Sequence, residues 1–267
     1  MTSISVDWIF PMLRKPSCGI FLWNLASNFT VSAVGLFSKL LIGWFNKSKT
    51  HNRGCFSKIL EKRPSHVPLI TISNHHSCFD DPGIWGCLKW KQLFNAPRMR
   101  WSLAAHDICF TKRWHSYFFM LGKCVPVIRG KGVYQDAIDF CLERLKKGEW
   151  VHIFPEGRVN MTKEIMRLKW GVGRLIYEAP VTPIVVPIWH IGMDDVLPNT
   201  PPYVLKTGKK LTFNFGKPIN FTNLLKEIRA SKVDAESARK AITDKIQIEL
   251  LNLKIETEAL HKLYHLS

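Results

Sequence analysis

The chain has 267 residues, 46% of them apolar, which is enough to bury one sizeable core. Its 38 lysines and arginines against 21 acids leave a formal charge of +17 and call for an anionic partner, a membrane or a nucleic acid, but no nucleic-acid-binding motif accompanies the charge. The seven cysteines, Cys18, Cys55, Cys78, Cys87, Cys109, Cys124 and Cys141, are scattered, odd in number and without a C-x-x-C pair, which argues against a zinc site and against a disulfide scaffold.

Residues 19–45 are the most hydrophobic stretch, and Lys39 is its one charged residue. Its length alone would span a bilayer. Asn24, Asn28, Ser32, Gly35 and Lys39 recur at helical spacing, however, so a narrow polar stripe faces a broad apolar arc. That pattern predicts an interfacial or partly inserted helix anchored by Phe21, Leu22, Trp23, Leu36, Phe37, Leu40, Leu41 and Trp44. Arg14 and Lys15 before it, and Lys47, Lys49 and Arg53 after it, place cations at phosphate level. A cleaved secretory signal does not fit, because the apolar run starts late and exceeds an h-region.

Beyond this anchor, β-rich runs alternate with helical patterns. Strands are expected at 67–73, 124–128, 151–154, 181–189 and 211–215, and a helix at 134–147 with Ala137, Ile138, Cys141, Leu142 and Leu145 on its apolar face. From Thr222 onward the chain reads as helical and charged. The expected organisation is a membrane-anchoring segment 1–53, an α/β catalytic domain 54–220 and a C-terminal helical segment 221–267 packed on it.

The strand at 67–73 leads into Asn74-His75-His76-Ser77-Cys78-Phe79-Asp80-Asp81. A histidine five residues before an aspartate can form a general base, with the carboxylate holding the imidazole tautomer. Spacing alone leaves the alternatives open: His75 with Asp80, His76 with Asp81, a helix cap built on Ser77, or a metal cluster that includes Cys78. A second segment, Phe154-Pro155-Glu156-Gly157-Arg158, presents a carboxylate, a flexible glycine and a guanidinium after another strand. Arg158 could grip a phosphate bidentately, and Arg129, at the end of the run 122–129, could add a second cation.

Taken in order, these segments resemble the glycerolipid acyltransferase superfamily, whose N-H-x-S-x-x-D signature is matched by residues 74–80. The resemblance implies a central mixed sheet flanked by helices. It also implies His75 and Asp80 as the catalytic pair, Asn74 and Ser77 as motif-positioning residues, and Arg129, Glu156, Gly157 and Arg158 as substrate-binding residues. Gly157 and Arg158 are adjacent, where many members insert a threonine. The form Phe154-Pro155-Glu156-Gly157-Arg158-Val159-Asn160, together with Leu168-Lys169-Trp170-Gly171-Val172-Gly173, resembles the tafazzin branch across roughly residues 1–220.

That branch implies a coenzyme-A-independent phospholipid–lysophospholipid transacylase of mitochondrial membranes, inner or outer and facing the intermembrane space. Its substrates would be cardiolipin, monolysocardiolipin and other phospholipids, with no cofactor, no metal and no nucleic acid; homo-oligomerisation stays open. Two rivals remain on sequence alone: an acyl-CoA-dependent lysophospholipid acyltransferase, and a non-catalytic basic membrane-binding protein.

Overall fold

The computed structural model describes residues 5–266, so residues 1–4 and 267, at the ends of the expected anchoring and C-terminal segments, lie outside the described residues. Among the described residues seven strands form one mixed sheet: β1 (Lys47–His51), β2 (Leu69–Ser73), β3 (Trp101–Ala105), β4 (Cys124–Val127), β5 (Trp150–Ile153), β6 (Ile184–Ile191) and β7 (Lys210–Phe215). Their order is β1-β7-β6-β2-β5-β3-β4, parallel throughout except between β6 and β7. The helices are α1 (Ile9–Arg14), α2 (Ile20–Gly43), α3 (Arg53–Lys62), α4 (Asp80–Trp85), α5 (Trp90–Leu93), α6 (His106–Cys109) and α7 (Arg113–Leu121). They continue as α8 (Asp136–Lys146), α9 (Gly171–Glu178), α10 (Met193–Val196), α11 (Thr222–Ala230) and α12 (Ala235–Leu266).

The central strands are buried on both faces, which is why they read as continuous apolar runs. Side-chain alternation divides them between two cores. Ile70, Ile72, Val151, Ile153 and Val185 pack with α8, α9, α11 and α12, while Leu69, Trp150, Val186 and Ile188 pack with α3 and α4. Helix α12 lies across β6, β7 and α9 through Ala238, Ile242, Ile246, Leu250 and Leu253. Its close seat on α9 depends on Gly173, where a Cβ would lie 2.4 Å from the Arg239 carbonyl oxygen.

The expected α/β architecture with a mixed sheet is present. Strands β1 and β3 were not expected. β1 is Lys-Ser-Lys-Thr-His, a polar edge strand with no apolar alternation, of the kind that discourages pairing with other chains. It pairs with β7, so residues 47–51, assigned from sequence to the anchor, belong to the catalytic sheet.

Helix α2 is apolar on both its protein-facing and its outward side. The face turned to the protein carries Trp23, Ser27, Val31, Gly35, Ser38, Leu41 and Ile42. Three of these are small, which lets backbones approach closely, as between helices in lipid. Ser27 Oγ donates to Leu121 O at 2.7 Å, and Gly35 rests on Leu93. The outward face exposes Ile20, Phe21, Leu22, Leu25, Phe29, Leu36, Phe37 and Trp44. Of the expected anchoring residues, Trp23 and Leu41 are therefore core residues, because they fall on the protein-facing side, and Leu40 is half-buried. Gly35 and Lys39, expected in the polar stripe, also turn inward; Lys39 Nζ donates to the carbonyls of Gly86 and Leu88.

Candidate active site

Because β2, β5, β3 and β4 are parallel, their C-terminal ends share one edge of the sheet. The segment 74–80 leaves β2 there, 154–160 leaves β5, and Arg129 follows β4.

His75 Nδ1 and Asp80 Oδ2 lie 2.9 Å apart. Asp80 is fully buried, and the same oxygen accepts the backbone N–H groups of His76 at 2.6 Å and Ser77 at 2.8 Å. Burial pushes the Asp80 carboxyl up, but His190, His75 and the Ser77 amide together hold it below the usual carboxylate range. An ionised Asp80 makes His75 Nδ1 the protonated nitrogen and turns Nε2, the basic one, toward the open side of the ring. The His75 side chain keeps 19% of its surface exposed.

The segment 154–160 holds His75 in place. The His75 N–H donates to Glu156 Oε1 at 3.2 Å, and the Asn160 N–H donates to His75 O at 2.6 Å. The Phe154 ring stacks on the imidazole with centroids 4.1 Å apart and planes 19° from parallel. Gly157, at φ +73°, supplies the left-handed turn that folds this loop back, and a Cβ there would also crowd Lys169. Glu156 was expected on the substrate; instead it faces the His75 backbone, is buried, and has its carboxyl raised by that burial.

Asn74 is clamped to β6: its Nδ2 donates to His190 O at 2.9 Å, and the His190 N–H donates to Asn74 Oδ1 at 3.0 Å. His190 Nε2 lies 3.0 Å from Asn74 O and 3.6 Å from Asp80 Oδ2. Ser77 does not cap α4 as the sequence suggested. Its Oγ accepts the Phe79 N–H and donates to Leu197 O, so it fixes the turn between His76 and Asp80. The alternative His76–Asp81 pair is not formed. His76 turns to Asn74, and burial followed by His190 lowers its pKa to about 4. Asp81 instead takes Arg100 at 2.5 Å and the Trp85 indole N–H at 2.9 Å.

Arg129 and Arg158 are both exposed. Arg129 pairs with Asp107, whereas Arg158 makes no ion pair among the described residues. Three strand spacings separate β4 from β2, roughly 14 Å, so Arg129 stands well to the side of His75. Among the described residues no group of three or more His, Cys, Asp and Glu side chains converges to hold a metal. Nor does any serine, threonine or cysteine side chain hydrogen-bond to His75 among them. His190, Arg100 and Asn160 escaped the sequence reading. Asn160 lay within a quoted block and was the one a local signal could have found.

Comparison with known proteins shows the family. The acyltransferase family profile matches residues 56–191, from α3 through β6. The chain is 54% identical to tafazzin of Drosophila melanogaster over 258 residues, covering 97% of this chain and 68% of that protein. The chain is an acyltransferase of the tafazzin family. A second tafazzin-family relative, from Dictyostelium discoideum, is 36% identical over 77% of this chain and 73% of its own. An Arabidopsis thaliana relative, N-acylphosphatidylethanolamine synthase, is 43% identical over 75% of this chain and 72% of its own. The crystal structure of a 1-acyl-sn-glycerophosphate acyltransferase from Thermotoga maritima superposes with a TM-score of 0.56 at 18% identity, covering 84% of this tafazzin-family chain and 79% of that one. That likeness bears on the fold alone.

Proposed function

We propose that this chain is a coenzyme-A-independent phospholipid–lysophospholipid transacylase that remodels the acyl chains of cardiolipin at a mitochondrial membrane. The observation that carries the reading is a pre-aligned pair of a part-exposed His75 and a buried Asp80 with no nucleophilic side chain bonded to His75 among the described residues, since the serines of its turn are occupied with backbone groups. The nucleophile is then the free hydroxyl of a lysophospholipid. His75 Nε2 takes its proton as the oxygen attacks the ester carbonyl of an intact phospholipid, and returns the proton to the departing glycerol oxygen. One ester breaks and an equivalent one forms, so no external energy source is needed.

Three further features support the reading. Arg158 is free to hold a lipid phosphate, and the outward apolar face of α2 suits an interfacial position from which a lipid can reach His75. A mainly apolar cavity of about 100 Å³ between α2, α4 and α7, lined by Val31, Val34, Trp85, Leu93 and Phe118, offers room for part of an acyl chain.

The Arabidopsis relative's name favours one second reading, transfer of the acyl group to an amine such as that of phosphatidylethanolamine. The test is to supply acyl-labelled phosphatidylcholine with monolysocardiolipin and phosphatidylethanolamine, coenzyme A removed, and to weigh the products. Labelled cardiolipin supports the proposal. Labelled N-acylphosphatidylethanolamine supports the second reading, and transfer only on addition of acyl-CoA overturns both.

A further inference from the structure

The opposite edge of the sheet, one strand length or roughly 16 Å from the His75 edge, carries a separate feature. There a cavity of about 390 Å³ is walled by Glu61, Arg63, Lys91, Asn95 and Arg98 over Trp150, within the size range of ligand sites. Arg63 is set in place by its Nη1, which donates to the carbonyls of Val67 and Gly148, while its buried Nε has no hydrogen bond. Arg98 is exposed and makes no ion pair among the described residues.

The wall thus carries three cations and one carboxylate. Glu61 is committed to Lys91 at 3.1 Å, Lys89 at 3.4 Å and the Gln92 amide at 3.1 Å. Arg63 and Arg98 are left facing one space without an acid, and burial, followed by repulsion from Arg98, lowers the Arg63 pKa. Two guanidinium groups around a concave space match the fork geometry that a phosphate accepts.

The surroundings point to the source of that phosphate. Helix α5 forms part of the wall, and its first residue, Trp90, and the residue after its last, Phe94, are exposed and stacked at 5.8 Å. α5 rests on α2, where Leu93 meets Gly35 and Lys39 Nζ lies 5.0 Å from the Trp90 ring centre. Cations and exposed aromatic rings therefore sit together next to α2, the arrangement found at headgroup depth.

We propose that the cavity bounded by Arg63, Lys91 and Arg98 is a second, non-catalytic lipid site that seats the phosphate of an anionic glycerophospholipid, whose acyl chains continue past Trp90 and Phe94 toward α2. The site rests on the interfacial placement of α2 in the proposed function, but not on the identity of the acyl acceptor.

The test uses the full chain and two vesicle types, phosphatidylcholine alone and phosphatidylcholine mixed with an equal part of phosphatidylglycerol. Arg98→Gln should reduce the preference for the mixed vesicles about fivefold, the effect of one interfacial cation, whereas Lys226→Gln on α11 leaves it unchanged. Arg98→Lys should restore only part of the preference, because it returns the charge without the fork. Acyl transfer in neutral lipid should be unchanged in Arg98→Gln. Inorganic phosphate should compete only weakly, since it lacks the chains. Equal loss in the Arg98 and Lys226 variants, or full displacement by inorganic phosphate, overturns the site while leaving the catalytic reading intact. Failure of the wild-type chain to bind either vesicle overturns the site and the interfacial placement together.

Discussion

Replacing Asp80 by Asn tests how the dyad works, because this carboxylate is held differently from one that bonds to histidine alone. Its Oδ2 accepts three donors: His75 Nδ1–H and the backbone N–H groups of His76 and Ser77. The two backbone donors cannot turn away, so the Asn side chain must put its carbonyl oxygen at that point and its NH₂ where Oδ1 lies buried without a hydrogen bond. His75 would keep its tautomer and its hydrogen bond, losing only the negative charge that stabilises its protonated form. A charge pair about 4 Å apart at an effective dielectric of about 20 is worth roughly 4 kcal/mol, and the retained dipole returns up to about half. The expected loss is about 2–4 kcal/mol of transition-state stabilisation, a fall in kcat of about 30- to 1,000-fold with little change in KM. The assay is initial-rate acyl transfer between labelled phosphatidylcholine and a lysophospholipid, alongside His75→Ala. An Asp80→Asn variant that keeps wild-type kcat, or that is as inactive as His75→Ala while remaining folded, would refute this role for the carboxylate charge.

Three further predictions follow from the packing. His76 and His152 are held neutral by burial, with pKa values lowered to about 4 and about 3 from 6.5. Their folded pKa values lie below the unfolded one, so the unfolded chain binds the extra protons, and stability is full above pH 6.5 and lost as the pH falls; between about pH 6 and 4.5 the two together give a slope approaching 2.7 kcal/mol per pH unit. Urea midpoints that stay flat from pH 6.5 to 5 would refute this. Gly173→Ala forces a Cβ to 2.4 Å from Arg239 O and 2.7 Å from Thr243 Oγ1, and should destabilise the α9–α12 contact by about 1–3 kcal/mol, seen as a lower Tm; an unchanged Tm would count against the close approach. Phe21→Ser and Phe29→Ser, at side chains 75% and 76% exposed, should each weaken vesicle binding by about tenfold without lowering Tm in solution, and unaltered binding would remove α2 from the membrane contact.

Much of the site was legible because its chemistry lies in consecutive residues. The turn from Asn74 to Asp80 and the block from Phe154 to Asn160 are each short enough to be read from the chain, and the strands that deliver them are plain apolar runs. Their mutual contacts were not legible. The grip of Glu156 and Asn160 on the His75 backbone requires β5 to lie beside β2, and the clasp between Asn74 and His190 requires β6 on its other side. Strand pairing brings together residues 81 and 116 positions apart, and no local spacing encodes it. β1 was missed because an edge strand needs no apolar face. On α2 the polar residues suggested a solvent-facing stripe, but Gly35 and Lys39 serve packing against α5 and the 86–88 turn, and apolar residues lie on both the inward and the outward face.

Under the proposed function, His75, oriented by Asp80, moves an acyl group directly from one phospholipid to another. The most direct measurement follows a mass-labelled acyl chain from phosphatidylcholine to monolysocardiolipin with all coenzyme A removed, comparing wild type and His75→Ala at equal vesicle occupancy. The expected result is transfer by the wild-type chain, reversible when the labelled product is returned with lysophosphatidylcholine, and a loss of about 10²–10⁴-fold in the variant. Transfer by His75→Ala at the wild-type rate, or by the wild-type chain only when acyl-CoA is supplied, would contradict it.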